Sequence, residues 1–233
     1  MNGKSALDQA LQGVRALIAD GTLRAGDRLP SEGELSETIG VSRGSVREAI
    51  RMLAALGVVD TRHGSGSFVA DLRAADVIRS LSLTVGLLPL ESVLELYELR
   101  RVLEAHAASL AAARCSGAEL DELGAILDEL EVLDDDDDIS RLDHEFHLRV
   151  SQISGNEALG ALLAVMRSRS RAYRIFTTED ADEIKRLSDA GHRAILRGLA
   201  ERDPVSASAA AAAHVSQTEV WLRKHRPAAS TEE

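Results

Sequence analysis

The sequence predicts a mainly α-helical protein with two parts of different design. Residues 1–72 are expected to form three helices and then a β-hairpin, because apolar residues first recur at helical spacing and then give way to two strand-like runs around a glycine-rich turn. Residues 73–226 are expected to form an all-α antiparallel bundle of six or seven helices, since no segment after about Ala74 has a convincing strand pattern. Residues 227–233 are expected to be a flexible tail.

The first helix is predicted over Ala6–Ala19, with Gly21 just after its end. Its apolar residues recur at the spacing of one helical face: Leu7, Leu11, Val14, Leu17 and Ile18. This face is expected to pack against the next two helices.

The second helix is short and has a clear start and end. Ser31 and Glu34 have the spacing of a capping box, which predicts a helix that begins there and runs to Ile39. Gly40 follows, where a left-handed residue ends many helices. Ser42 is placed to cap a third helix. Two short helices joined by a tight glycine turn predict a helix-turn-helix.

The third helix presents cations along one face and apolar residues along the other. Arg43, Arg47 and Arg51 are four residues apart, so their side chains share one side of the helix. The opposite side has a pattern typical of burial: Val46, Ala49, Ile50 and Leu53. The helix is therefore expected to pack on one side and to meet anions on the other.

A β-hairpin should follow this helix. Val58–Val59 and Ser67–Val69 are short strand-like runs, and His63–Gly66 between them is a glycine-rich turn. The N-terminal part is therefore predicted to be a winged helix-turn-helix.

Breaks in the helical pattern divide the second part of the chain. They fall near Gly86–Pro89, Ser116–Gly117, Asp134–Asp138, Gly155–Asn156, Thr177–Asp180 and Arg202–Pro204. The aspartates of the third break are expected to lead into a helix N-terminus, where negative charge is favoured.

Charge and cysteine content restrict the possible classes of protein. Residues 1–70 contain eight basic and eight acidic side chains, so the whole formal charge of −11 belongs to the rest of the chain. An acidic second domain would be repelled by nucleic acid, which leaves it available for another role. The sequence shows no signal peptide or membrane span, and a single cysteine, Cys115, fits a reducing compartment, so the expected location is the cytoplasm.

Four residues of the second part have the chemistry of metal ligands. Asp143 and His147 are four apart, so both side chains can reach one ion from the same helix. His192 and His214 lie singly on later helices, and each alone is more often a capped or surface histidine. One carboxylate and three imidazoles together form a plausible set of ligands for a divalent transition metal.

Residues 5–70 resemble the DNA-binding domain of the GntR family of bacterial transcription regulators. The resemblance rests on Gly21–Glu32 and Val41–Arg51. It implies that base and phosphate contacts are made by Ser42, Arg43, Ser45 and Arg47 of the third helix. It also implies that His63 and Gly64 form a wing tip that enters the minor groove. Arginine is well shaped for such contacts because it grips guanine through two hydrogen bonds.

The chain departs from the family pattern at two positions of this domain. Gly33 stands where the family usually has an arginine that contacts DNA, and Gly44 replaces a more common threonine or alanine. We therefore expect a weaker operator, or one that is read differently.

Residues 74–225 are similar to the C-terminal domain, called FCD, of the FadR-like branch of the same family. The matching segments are Glu98–Glu104, Asp143–His147, Ser154–Asn156, His192 and His214. In the metal-binding branch the corresponding ligands are Asp143, His147, His192 and His214. Zinc is the expected ion, with nickel and manganese as alternatives.

The resemblance leaves the surroundings of the metal open. Arg100 matches an arginine that is often aimed into the pocket, where it would bind the carboxylate of an effector; a salt bridge to Glu104 is an equal alternative. Four further arginines either contribute to the pocket or coat a helix: Arg167, Arg169, Arg171 and Arg174.

These patterns lead to one hypothesis and two alternatives. The hypothesis is a homodimeric transcription regulator that binds double-stranded operator DNA and a small carboxylic acid at the metal site, with repression relieved by the acid. One alternative is a metal-dependent enzyme that acts on small organic acids and uses the winged domain as a DNA tether. The other keeps the regulator but makes the metal structural, or makes the metal itself the signal.

Overall fold

The computed structural model describes residues 5–173 and 179–229, and it confirms a mainly helical chain. The chain divides into two compact units, residues 1–80 and 81–233, and each is described here by itself. No helix among the described residues has the length together with the apolar character that crossing a bilayer requires.

The first unit is a winged helix-turn-helix, as the sequence predicted. Its elements in chain order are α1 (Ala6–Ala19), α2 (Glu32–Ile39), α3 (Arg43–Ala55), β1 (Val59–Arg62), β2 (Gly66–Val69) and α4 (Ala74–Arg79). The three larger helices and the hairpin enclose one apolar core: Val14, Leu23, Leu29, Leu35, Val46, Leu53, Val59 and Val69.

Local side-chain caps determine where these helices start and stop. Ser31 and Glu34 form the predicted capping box, since the Ser31 hydroxyl accepts from the Glu34 N–H and the Glu34 carboxylate accepts from the Ser31 N–H. Gly40 ends α2 with a φ of 78°, in the left-handed region that favours glycine. The Ser42 hydroxyl accepts from the Ser45 N–H and caps α3. The sharp turn between α2 and α3 therefore follows from residues within it.

The hairpin is antiparallel, with a register that runs from Val59 opposite Val69 to Arg62 opposite Gly66. An isolated bridge between Arg28 and Phe68 adds a short third stretch to β2. The wing is thus hydrogen-bonded to the segment that precedes α2.

The second unit consists of helices throughout its described residues. They are α5 (Ser82–Val85), α6 (Leu90–Arg114), α7 (Gly117–Val132), α8 (Asp136–Ile153), α9 (Glu157–Arg171), α10 (Ala181–Ala200) and α11 (Pro204–His225). The predicted breaks fall between these helices, although the one at Thr177–Asp180 lies partly outside the described residues. Asp135 caps α8 by accepting from the N–H groups of Asp137 and Asp138, so the aspartate run does lead into a helix N-terminus.

Helix α6 lies along α11 over much of its length, and α11 also packs on α10. Small residues allow this close approach. A Cβ built on Gly198 of α10 would lie 2.7 Å from the Ala207 backbone of α11, a contact that neither backbone can accommodate without moving. The main core beside this contact includes Leu123, Leu127, Phe146, Ile195 and Leu199.

We expect Gly198→Ala to destabilise the second unit by about 1–3 kcal/mol, because the added methyl group forces α10 and α11 apart. Gly124→Ala is the matched control. Gly124 is also inside a helix but has open space where a Cβ would be, so alanine should raise the free energy of unfolding by up to about 1 kcal/mol. Urea unfolding followed through the single tryptophan, Trp221 on α11, measures both changes. Equal effects of the two substitutions would contradict the packing argument.

Candidate metal centre and nucleic-acid interface

The four predicted metal ligands lie together inside the second unit. Asp143 and His147 project from α8, His192 from α10 and His214 from α11, and one ligand atom of each lies within 4.8 Å of all the others. The Nε2 atom of His147 lies 3.2 Å from that of His192 and 3.1 Å from that of His214. The Nε2 atom of His192 is also 3.1 Å from Asp143 Oδ1. Residues up to 71 positions apart in the chain thus face a single point.

Burial keeps two of these imidazoles, His147 and His214, neutral. Desolvation lowers the pKa of His147 to about 4, with the charge of Arg167 acting in the same direction. Desolvation and the neighbouring His192 and His147 lower the pKa of His214 well below its ordinary value. Neutral imidazole is the form that binds a metal, because the lone pair on nitrogen is then available.

A buried carboxylate of α6 sets the tautomer of His147. Glu104 Oε2 lies 3.1 Å from His147 Nδ1, and a carboxylate can only accept, so Nδ1 carries the hydrogen. The Nε2 lone pair of His147 is thereby directed at the other ligands. Histidines that bind metals are commonly oriented by such a hydrogen bond.

Two buried arginines balance the charges of Glu104, which is buried, and of Asp143, which is 19% exposed. Arg100 Nε donates to Glu104 Oε1 at 2.8 Å, and the Arg100 guanidinium lies 4.3 Å from the centre of the Tyr97 ring. Arg167 donates to both oxygens of Glu104 at 3.2 Å and to Asp143 Oδ2 at 2.5 Å. Although burial alone raises the pKa of Asp143, Arg167 and His192 outweigh it, and the carboxyl pKa is well below its ordinary value. Both carboxylates are therefore ionised.

The residues present fit a divalent transition metal. Two nitrogens bound to one zinc ion at about 2.0–2.1 Å in a tetrahedral site lie about 3.3–3.4 Å apart, close to the separations found among these imidazoles. The Nδ1 atoms of His192 and His214 are buried and have no hydrogen-bond partner among the described residues, so protein hydrogen bonds alone do not satisfy this cluster. Three nitrogens and one carboxylate oxygen suit zinc, nickel or manganese.

Arginine side chains of the second unit divide between the two roles that the sequence left open. Arg100 forms the salt bridge to Glu104, and its contact with an effector stays a prediction. Arg167 pairs with Asp143, one of the predicted metal ligands. Arg169 instead donates to the Leu88 carbonyl at 2.8 Å, away from the metal ligands. Arg174 lies outside the described residues.

The proposed DNA-contacting residues of α3 lie at its exposed N-terminal end. Ser42 and Arg43 are exposed, and Ser45 is half-buried beside them. Arg47 is also exposed and forms a bidentate pair with Glu32 of α2, with N···O distances of 2.6–3.1 Å. This contact lowers the pKa of Glu32. The pair holds the guanidinium at the helix surface, where solutes can reach it.

Helix α3 and the strand residues of the wing, Thr61, Gly66 and Ser67, border an open groove of about 790 Å³. His63 and Gly64 are exposed at the tip, and Gly64 has a φ of 73°. The groove is lined by three arginines, Arg28, Arg47 and Arg51, and by two carboxylates, Glu32 and Glu34. Arg28 lies across the wing, where a Cβ on Gly66 would come within 2.9 Å of its Nε. A cationic groove between helix and wing suits a phosphate backbone.

The lack of a side chain at Gly33 affects its neighbour on α3. A Cβ at this position would lie 3.3 Å from Nη2 of Arg43, so the guanidinium of Arg43 lies against the glycine. A Cβ on Gly44 would lie 3.7 Å from Ser42 Oγ, which is an ordinary van der Waals contact, so Gly44 imposes no such arrangement. The departure at Gly33 therefore changes the surroundings of Arg43 as well as removing a cation.

Sequence reasoning missed the site contacts of three of these residues. Glu104 was considered only as a salt-bridge partner of Arg100, Arg167 was one of four undecided arginines, and Arg28 was quoted only as part of a segment. Helical spacing places Glu104 one turn after Arg100, which indicated a pair, but nothing in the spacing indicated the contact with His147.

We expect Asp143→Ala to abolish stoichiometric metal binding, because it removes the oxygen ligand and leaves the Arg167 guanidinium beside the imidazoles. Asp138→Ala on the same helix is the matched control, since Asp138 is exposed and pairs with Arg141. Elemental analysis after incubation with Zn²⁺ or Ni²⁺ and desalting measures the effect. Full metal content in Asp143→Ala would count against this residue as a ligand.

Comparison with known proteins supplies the family. Residues 7–69 match the model described as bacterial regulatory proteins, gntR family, and residues 95–217 match the FCD domain. The HTH-type transcriptional regulator LutR of Bacillus subtilis (strain 168) is 30% identical over 209 residues, which cover 87% of this chain and 94% of that protein. A regulatory protein named for an L-lactate dehydrogenase operon in Escherichia coli (strain K12) is 28% identical over 93% of this chain and 86% of its own length.

A solved structure agrees with these matches. The Streptococcus agalactiae GntR structure has a TM-score of 0.58 and 27% identity, and the match covers 92% of this chain and 99% of that one. The relatives are regulators, which favours regulation over the metalloenzyme alternative. The chain therefore belongs to the GntR family of bacterial regulatory proteins, with an FCD domain after its winged helix-turn-helix, and it is a transcription regulator.

Proposed function

We propose that this regulator is a repressor that leaves its operator when a small carboxylic acid binds at a metal ion in the FCD domain. In this proposal DNA is contacted by Ser42, Arg43, Ser45, Arg47, His63 and Gly64, and the metal by Asp143, His147, His192 and His214. The acid acts by favouring one of two arrangements of the paired domains, so that its affinity for each arrangement decides operator binding.

The net charge of the side chains around the predicted metal ligands is the observation that best supports a metal-bound acid. The charged groups of the site are two arginines, Arg100 and Arg167, and two carboxylates, Glu104 and Asp143, so their charges sum to zero. A divalent ion adds two positive charges to this buried place. Because uncompensated charge is costly in the interior, an anion is the expected companion of the metal. A carboxylate supplies that charge and can also coordinate the metal directly.

The relatives support a hydroxy acid within this class. One of them is named for an L-lactate dehydrogenase operon. A carboxylate with a neighbouring hydroxyl offers two oxygens to one metal ion, and it therefore suits a site in which the protein supplies four ligands.

A homodimer is proposed because one winged domain offers few base contacts, while two copies can read a two-fold related operator. Apolar side chains exposed on α6 fit an interface within the helical unit. Leu99 and Val102, three residues apart on this helix, have 54% and 65% of their surface exposed. A second copy of the chain would remove these residues from water.

We expect Arg47→Ala to weaken operator binding at least about tenfold, because a bidentate contact to a base edge contributes about 1–3 kcal/mol. The matched control is Arg15→Ala on α1, since Arg15 is exposed and does not line the groove. A gel-shift titration with the promoter region of the protein's own gene measures both. Unchanged affinity of the Arg47→Ala protein would refute the assignment of α3 as the helix that reads DNA.

We further expect Arg28 and Arg51 to contact phosphates of the strand that passes between the helix and the wing. Alanine at either position should reduce the slope of log K against log salt concentration by about 0.9, and it should weaken operator and non-specific DNA alike. Fluorescence anisotropy with labelled duplexes at several salt concentrations measures the slope. A wild-type slope in both variants would exclude the groove from the interface.

A further inference from the structure

We infer that the Arg167 guanidinium opposes metal binding at Asp143, because it already holds one oxygen of the carboxylate whose other oxygen faces the imidazoles. The inference rests on the proposed metal function and adds a residue that controls it. Arg167 would then lower the affinity for metal, although it lies among the ligands.

The contacts of Asp143 are divided between its two oxygens. Oδ1 lies 3.1 Å from His192 Nε2 and 3.8 Å from His147 Nε2, so it faces the imidazole cluster. Oδ2 accepts from Arg167 Nη2 at 2.5 Å. Of the four ligands Asp143 is the most exposed, at 19% against 5% or less for the histidines, so it is the ligand that an arriving ion can reach first. The same carboxylate is thus held by a cation at the point of entry.

Arg167 is suited to this role because its charge cannot be removed. Its guanidinium carries a positive charge, and its side chain is only 7% exposed. A divalent ion bound to the same carboxylate would lie close to this fixed positive charge in a poorly screened environment. Each cation therefore weakens the binding of the other to Asp143.

The Arg167 side chain also has a second carboxylate partner, Glu104. Its Nη1 atom donates to both oxygens of Glu104, so this contact can persist when Asp143 turns to a metal. Its Nε atom is buried and has no hydrogen-bond partner among the described residues. A guanidinium released from Asp143 would then have free donors beside the metal, where they would face the carboxylate of a bound acid.

Arg100 provides an internal comparison. It carries the same charge, is equally buried and pairs with the same Glu104, whereas the hydrogen bond to Asp143 Oδ2 comes from Arg167. Removing Arg100 therefore removes a charge near the site without removing that hydrogen bond. Arg167 thus contacts Asp143, whereas the contacts described for Arg100 are with Glu104 and Tyr97.

The test compares Arg167→Gln, Arg100→Gln and Arg167→Lys with the wild-type protein. The dissociation constant for Zn²⁺ alone is measured by competition with a chromophoric chelator, and Trp221 fluorescence during urea unfolding reports whether each metal-free variant is folded. We expect Arg167→Gln to bind Zn²⁺ at least about tenfold more tightly, because a positive charge beside the ion is lost. Arg100→Gln should bind within about threefold of the wild type, as should Arg167→Lys, which keeps the charge.

Weaker Zn²⁺ binding by a folded Arg167→Gln protein would overturn the inference and make Arg167 a positioning residue of the site. Equal tightening by Arg167→Gln and Arg100→Gln would also overturn it, since the effect would then be one of general charge. A wild-type protein that binds neither Zn²⁺ nor Ni²⁺ would refute the proposed metal site itself, which separates that failure from this one.

A second measurement needs no loss of the arginine. In the wild-type protein, guanidinium ¹⁵N resonances are followed during Zn²⁺ titration, with the Arg167 signal assigned from its absence in Arg167→Lys. The signal of Arg167 should shift much more than that of Arg100. Signals that do not respond to saturating Zn²⁺ would show that Asp143 keeps its arginine, and the inference would fail even if Arg167→Gln did not fold.

Discussion

The carboxylate of Glu104 is the constraint on which the helical unit depends. It lies on α6 and is buried, so its charge has to be compensated from neighbouring helices. Arg100 on its own helix and Arg167 on α9 supply that compensation, and the neutral His147 on α8 donates a hydrogen bond. One buried negative charge therefore fixes the relative placement of three helices and the tautomer of a metal ligand. A site held in this way has its nitrogens oriented before any ion arrives.

The winged unit also contains an arginine–carboxylate pair, but this pair is exposed to water and the buried pairs of the helical unit are not. The Arg47–Glu32 pair has good bidentate geometry, but both side chains are substantially exposed to water. Such pairs contribute about 0–1 kcal/mol, so a phosphate or a guanine can replace Glu32 at small cost. A buried arginine–carboxylate pair keeps its partners, whereas an exposed pair can exchange the carboxylate for another anion. This contrast suits a regulator of this family, whose winged unit binds DNA.

Much of the fold could be predicted because its boundaries are local. The capping box of Ser31 and Glu34, the left-handed Gly40 and the cap at Ser42 involve residues no more than three positions apart, so the chain itself specifies the turn. The helix breaks of the second unit are likewise specified by residues close together in the chain. The four predicted ligands do lie together, but the prediction that they share one site came from a family resemblance, because helical periodicity alone does not bring His192 and His214 to His147.

The amino-acid sequence by itself determined the mainly helical class, the order of the helices and the hairpin, and the polar side chains that each element carries. Those features depend on spacings of two to four residues, which the backbone geometry converts directly into faces and caps. Only the tertiary structure decided that Arg167 pairs with Asp143, that Glu104 orients His147 and that Arg28 lies across the wing. The reason is physical: which charges meet in the interior depends on how separate helices pack, and the cost of leaving any of them unpaired is felt only once water has been excluded.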